Sequence, residues 1–212
     1  MIKHERVSDS VYMFQSTDYA EVTAGAIIGQ DMAVVIDTLP YTEETVAIRD
    51  FIEQQLKVPV RYVINTHYHA DHTWGNHVFK NAIILSSDMT LQMMEDLGAP
   101  SLENAKTQNP VFENVDLVYP SITFESGMVG IQIGRKSLKI IPLPGTRFKK
   151  PVPAKLPRSV KFHRPVFYKI PSLYIQIAFN RFRNKITTGS GKYRRNCQAN
   201  ETQNNNCPDK YI

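Results

Sequence analysis

The sequence predicts an α/β protein over its first 145 residues, a sandwich with helices outside a pair of sheets. Three observations carry that prediction. Short apolar, β-branched runs alternate with segments of helical periodicity. Several of these runs lie close enough together to be hairpin strands. One apolar run, "VRYVI", leads directly into "NTHYHADHTWGN", which places three of the chain's six histidines and an aspartate between His67 and His72.

In order, "VYMFQ" (11 to 15) reads as a strand. "EVTAGAIIGQDMAVVID" reads as two strands joined at Gly29-Gln30-Asp31, a composition that suits a hairpin turn. "YTEETVAIRDFIEQQLK" follows, with Ile48, Phe51, Ile52 and Leu56 on one helical stripe. Thr42 is the expected cap, Glu43 and Glu44 suit the positive end of the helix dipole, and Pro59 ends the segment. "VRYVI" (60 to 64) is a buried strand, with a helix expected at about 72 to 80. "AIILS" is a strand, and "SDMTLQMMEDLG" a helix from Ser87 to a stop at Gly98. After a polar connection rich in Asn and Gln, "SITF", "MVGIQI" and "SLKIIPL" read as antiparallel strands.

The overall charge of +5 averages two unlike parts. Residues 1–145 carry 10 Lys and Arg against 18 Asp and Glu, 10 − 18 = −8, and residues 146–212 carry 15 against 2, 15 − 2 = +13. From Thr146 prolines recur every few residues, which suits neither a long helix nor a central strand. "SLYIQIAFNRF" can make one strand, and the Asn-rich remainder reads as poorly ordered. The expected organisation is a core of residues 1–145 and a basic, Pro- and Asn-rich tail of residues 146–212.

The N-terminal stretch has no long apolar run, so neither a signal peptide nor a membrane anchor is expected. Cys197 and Cys207 could close one short loop, which gives little support to an oxidising compartment. The expectation is a soluble, cytoplasmic protein with no membrane partner.

The histidine stretch is the chemical feature. On a loop at a strand end, His67 and His69 can turn onto one ion, while Asp71 and His72 aim at a neighbouring point. Imidazole suits Zn, Fe, Mn and Ni, and a carboxylate adds a harder oxygen donor. Four ligands so close along the chain exceed what one open site takes from a single loop. The natural arrangement is two ions sharing a water that attacks a carbonyl or phosphoryl group. Asp37, in "VVIDT", reads on local sequence as an aspartate closing a strand-to-helix turn. His77, five residues after His72, points away on a helix, and His4 lies in a polar segment; neither is expected to be a ligand. Trp74 could line a substrate mouth or cover the core.

"THYHADH" matches the H-x-H-x-D-H signature of the metallo-β-lactamase superfamily, and "VVIDT" resembles the aspartate-bearing strand end upstream of it. The order of hairpin, aspartate, helix, strand, signature and helix is also similar, over about residues 5–145. The resemblance implies an αββα sandwich with a metal site at the edge of the sheets, holding two zinc ions, with iron or manganese as alternatives. It places His67 and His69 on the first metal and Asp71 and His72 on the second. Asp71 also orients the attacking water as a base, and Asp37 bonds to the signature loop and fixes its shape.

The resemblance then breaks. Thr146 follows Pro144-Gly145 where the family has a third histidine, and neither His163 nor Asp209 sits in a closing motif. The motif stops where the charge reverses, which suggests a shift of reading frame near codon 146, with a divergent tail as the alternative. The leading function is a metal-dependent hydrolase acting on a small-molecule ester, thioester, amide or phosphodiester, impaired by the missing ligands. Competing readings are a binding protein whose basic tail contacts nucleic acid or an anionic surface, and an inactive scaffold.

Overall fold

The structure is a computed structural model that describes residues 2–142 and the backbone of residues 173–179. Strands β1 (Ile2–Ser8), β2 (Val11–Ser16), β3 (Thr23–Ile28) and β4 (Ala33–Ile36) form successive antiparallel hairpins. The β3–β4 turn falls where the sequence places it, closed by Gly29 N–H donating to the Met32 carbonyl at 2.8 Å. Gly29 is required there, because a Cβ would stand 2.8 Å from that carbonyl oxygen and press on Ile133. Strand β1 was not expected. It is an edge strand whose Lys3, Glu5 and Arg6 are exposed, and charge on an edge discourages pairing with another chain.

Beyond the hairpins the sheet turns parallel. Helix α1 (Thr42–Asp50) carries the chain over the sheet and continues as a π-helical turn, Phe51–Gln55, before β5 (Val60–Ile64) pairs parallel with β4. Thr42 is not the cap: Tyr41 occupies that position without a side-chain bond, and the Thr42 hydroxyl meets His77 instead. Helix α2 (Ala70–Thr73) and a 3₁₀ turn, Trp74–Val78, replace the single helix expected at 72 to 80. Gly75 explains the tight turn. Its Cα lies against the loop after β4, where a Cβ would meet the Leu39 carbonyl and Thr38 Cβ at 2.8 Å.

Strand β6 (Ile83–Ser87) leads into α3 (Asp88–Met93), capped by Ser87 Oγ accepting from Thr90 N–H. The stop expected at Gly98 does not occur. Gly98 has an ordinary helical φ of −67°, and the helical path continues through a π-helical turn, Met94–Gly98, into α4 (Ala99–Gln108), whose second residue is Pro100. Leu102 and Ala105 hold α4 down by packing into a cluster with Trp74, Phe112 and Val115. Strand β7 (Ile122–Phe124) also departs from expectation, since it pairs parallel with β6 in the first sheet.

The second sheet comprises β8 (Val129–Ile133), β9 (Lys136–Pro142) and β10 (Leu173–Phe179), all antiparallel. Gly134, in the two-residue β8–β9 turn, takes φ +56°, which glycine adopts at little cost. Strand β10 is the one strand expected within the basic region.

Alternation sets the layers. Along β4 and β5, Val35 and Val63 face the helices with Ile48 and Ile52, while Val34 and Ile64 face the second sheet. There they meet Ile133, Leu138 and Ile140, all fully buried, each worth about 1.5–3 kcal/mol of apolar burial. The layers are therefore helices, a seven-stranded sheet in the order β1 to β7, and a three-stranded sheet. The second helical layer expected of an αββα sandwich is not seen among the described residues; Thr146, His163, Asp209, both cysteines and the Asn-rich remainder expected to be poorly ordered lie outside them. No helix among the described residues is long and apolar enough to cross a membrane.

Candidate metal centre

Strands β4, β5 and β6 run parallel, so their C-terminal ends gather at one edge of the sheet, the usual place for a site in such sheets. Asp37 leaves β4 there, and the His67–His72 loop leaves β5. Asp37 adopts φ +59°, a left-handed conformation that Asp tolerates better than most residues. Its N–H still donates to the Ile64 carbonyl at 2.8 Å, and the turn directs its carboxylate under the loop.

That carboxylate is only 5% exposed and is fully engaged. Oδ1 accepts from the Thr66 backbone N–H at 2.7 Å, and Oδ2 accepts from the Thr66 hydroxyl at 2.7 Å. Oδ2 also accepts from His72 Nδ1 at 3.0 Å. Because the Thr66 proton goes to Asp37, its oxygen accepts from His67 Nδ1–H at 3.0 Å. Both imidazoles thus use Nδ1 inward, which turns Nε2 of His67 outward to His69 as its coordinating atom and Nε2 of His72 toward Asp71.

Outward, the donors fall into two pairs. His67 Nε2 and His69 Nδ1 are 3.1 Å apart, and His72 Nε2 and Asp71 Oδ2 are 3.4 Å apart. Two ligand atoms on one tetrahedral zinc, at bond lengths near 2.0–2.1 Å, stand roughly 3.3 Å from each other. Both separations suit shared coordination. The pairs adjoin, with 4.1 Å between the ring centroids of His67 and His72. Asp37, His67 and His72 also form a group whose ligand-type atoms lie within 4.8 Å of one another.

The electrostatics separate the two pairs. Burial lowers the His67 pKa to about 4, and the neighbouring His72 charge adds to the effect. Burial opposes the charge on His72 as well, but the Asp37 carboxylate, with Asp71 assisting, raises its pKa to about 10. For Asp71, burial would raise the carboxyl; the hydrogen bond and charge of His72 overcome it and hold the group below its ordinary value.

Other residues singled out in the sequence find plain roles. Each His77 nitrogen has a partner, Nδ1 the Trp74 carbonyl at 2.8 Å and Nε2 the Thr42 hydroxyl at 3.2 Å, and neither faces the pairs. Trp74 is 5% exposed in the core cluster with Phe112, which excludes the mouth reading. His4 packs against Phe51 in a tilted contact, with centroids 4.5 Å apart. The sequence reading missed Thr38, Asn65 and Thr66, which bond to the loop, Asn76, which bonds to Asn65, and Tyr19. Burial, then the Asp71 charge, raises the Tyr19 pKa, and its ring packs edge-on against Tyr41 with centroids 6.1 Å apart. The only signal for Thr38, Asn65 and Thr66 was short polar side chains following apolar strand ends, and Asn76, on the 3₁₀ turn, carried none.

The sequence model of the metallo-beta-lactamase superfamily matches residues 20–147, more than half of the chain. Among solved structures, a metallo-beta-lactamase from Pontibacter korlensis is similar at 18% identity and a TM-score of 0.53, over 68% of this chain and 62% of that one. A metallo beta lactamase from Hirschia baltica matches at 17% identity and a TM-score of 0.47, over 65% of this chain and 59% of that one. The chain thus spans less than two thirds of either relative. The first likeness carries the fold, the family match carries the kinship, and this chain belongs to the metallo-beta-lactamase superfamily.

Proposed function

We propose that this chain is a metal-dependent hydrolase whose centre holds two ions, with zinc the best-suited metal. The observation that carries the reading is the two adjacent donor pairs, each near the separation of ligands sharing one ion. His67 and His69 would hold the first ion, and Asp71 and His72 the second. Asp37 would act from behind, because its oxygens are already spent on Thr66 and His72. When bound, such ions acidify a water and polarise the bond to be cleaved.

The protein's own residues do the rest. Neutral His67 presents a lone pair at Nε2 without first losing a proton. Asp71 remains ionised and, with its side chain 26% exposed, can hold a substrate-side proton at Oδ1 while Oδ2 is turned to the ion. The substrate class is a small molecule with an ester, thioester, amide or phosphodiester bond. Two protein donors per ion is one fewer than the three typical of catalytic zinc, and Thr146 stands where the third histidine of the first site is expected. Turnover is accordingly expected to be weak. We read the reversal of charge at Thr146, one residue before the family match ends, as a shifted reading frame. A histidine codon directly after Gly145 in another frame would support this, and its absence from both frames would contradict it.

The test of function is elemental analysis of the purified full chain beside a His67→Ala/His69→Ala variant, followed by an ester, thioester, lactam and phosphodiester screen. Near two ions per chain with hydrolysis that the variant loses supports the proposal. Near zero metal in both proteins, with no hydrolysis, overturns it.

A further inference from the structure

We propose that Thr38, Asn65 and Asn76 are positioning residues that hold the Asp71–His72 pair for the second ion by clamping the His72 backbone carbonyl. The inference rests on the reading of the loop as a two-ion centre. His72 lies in the last turn of the four-residue α2, where carbonyls have no helical partner. Its carbonyl instead accepts from Thr38 N–H at 3.1 Å, the Thr38 hydroxyl at 3.2 Å and Asn65 Nδ2 at 2.9 Å. Those donors come from the ends of two different strands, β4 and β5.

Asn76 locks this arrangement. Asn65 Nδ2 donates to Asn76 Oδ1 at 3.0 Å, and Asn76 Nδ2 returns a bond to Asn65 Oδ1 at 2.9 Å. The remaining Asn76 N–H goes to the Val118 carbonyl at 3.0 Å. All four amide protons of the pair are used, so Asn65 cannot rotate without breaking a buried bond. Thr38, Asn65 and Asn76 are at most 1% exposed, which leaves no water to replace a lost donor. Thr38 Oγ1 also accepts from Gly75 N–H at 3.1 Å, tying the following turn to the same point.

His72 is therefore held at both ends, by Asp37 on the ring and by the clamp on the backbone. The His69 carbonyl, by contrast, is bonded from its own turn, by the Thr73 hydroxyl and the His72 N–H, both at 3.0 Å. Loosening the clamp should release the second pair and leave the first in place.

The test is a stepwise cobalt(II) titration of the metal-free full chain, read by visible absorption and calorimetry. Asn65→Ala, Asn76→Ala and Thr38→Val are compared with Ile52→Val, a core substitution on the helix face. The expected result is a first step within about twofold of the parent and a second step weakened about 10- to 100-fold, the usual scale for residues supporting ligands. The second absorption band should change shape, and Ile52→Val should change neither step. Equal weakening of both steps, or no weakening in a folded variant, overturns the inference. Where the Asn variants do not fold, Thr38→Val decides alone, since it keeps the side-chain shape and removes the hydroxyl's bonds to the His72 carbonyl and the Gly75 N–H. A parent that takes up no cobalt removes the two-ion reading and this inference together. A parent that binds two ions with the clamp variants unaffected removes only the clamp.

Discussion

His67 and His72 lie with ring centroids 4.1 Å apart on one loop, yet the protein holds them in opposite states. His67, lowered to about 4 by burial, is neutral at pH 7. His72, similarly buried, is raised to about 10 because the Asp37 carboxylate outweighs the cost of burial. The decisive difference is one hydrogen bond. Asp37 Oδ2 reaches His72 Nδ1 directly, whereas His67 meets Asp37 only through the Thr66 hydroxyl. Residue types and spacing therefore did not assign the two imidazoles their charge; a buried carboxylate thirty-odd positions upstream did. One pair offers an ion a ready lone pair, while the other must release a proton to bind.

The largest expected effect comes from removing that carboxylate's charge. Asp37→Asn preserves the left-handed backbone, which Asn also tolerates, and leaves His72 without its counter-charge. Breaking a buried ion pair from one side costs about 3–5 kcal/mol. Urea unfolding of the metal-free chain at pH 7 measures this, and His72 should titrate well below its present value of about 10. An unchanged His72 titration by NMR would mean that Asp37 does not set its charge.

A smaller effect follows from pH alone. His72 has a folded pKa raised above its ordinary 6.5, so its contribution is fully present below 6.5 and is lost as pH rises through about 10. His67 has a folded pKa lowered from 6.5, so its contribution is present above 6.5 and is lost as pH falls through about 4. The unfolding midpoint of the metal-free chain should therefore decline on both sides, and Asp37→Asn should flatten the alkaline limb while sparing the acid one. Metal uptake at pH 7 should release about one proton from His72 and none from His67, measurable by calorimetry in buffers of different ionisation enthalpy.

Gly75→Ala tests whether the second pair can be disturbed from outside the loop. The new Cβ presses on Thr38 and the Leu39 carbonyl, and overpacking of this kind costs about 1–3 kcal/mol. Thermal unfolding gives the cost, and metal titration should show the second step weakened more than the first. The smallest effect on the site is expected for Trp74→Phe, a large-to-small core change that costs about 1–3 kcal/mol of stability with metal stoichiometry unchanged. Loss of metal or of hydrolysis in that variant would return Trp74 to the mouth of the site.

The parts legible in the sequence were those written in local pattern. The hairpin at Gly29, the stripe on α1, the buried run of β5 and the clustered donors all lie within short windows. Strand β1 escaped because charges on an edge look like a loop, and α4 because Gly98 reads as a stop and the Asn- and Gln-rich run after it as a connection. The direction of β7 was not local at all, since parallel pairing with β6 depends on the whole chain between them. The same limit applied at the site. The four donors share one motif, but Thr38 meets His72 across 34 positions and Asn65 meets Asn76 across 11, and an isolated Thr or Asn announces no partner.

Anomalous diffraction at the zinc edge, from crystals of the zinc-loaded full chain, addresses the two-ion reading directly. Two peaks are predicted, one against His67 Nε2 and His69 Nδ1, the other against Asp71 Oδ2 and His72 Nε2, with Asp37 still bonded to Thr66 and His72. A single peak coordinated by Asp37, His67 and His72, or no peak at the loop, would contradict that reading.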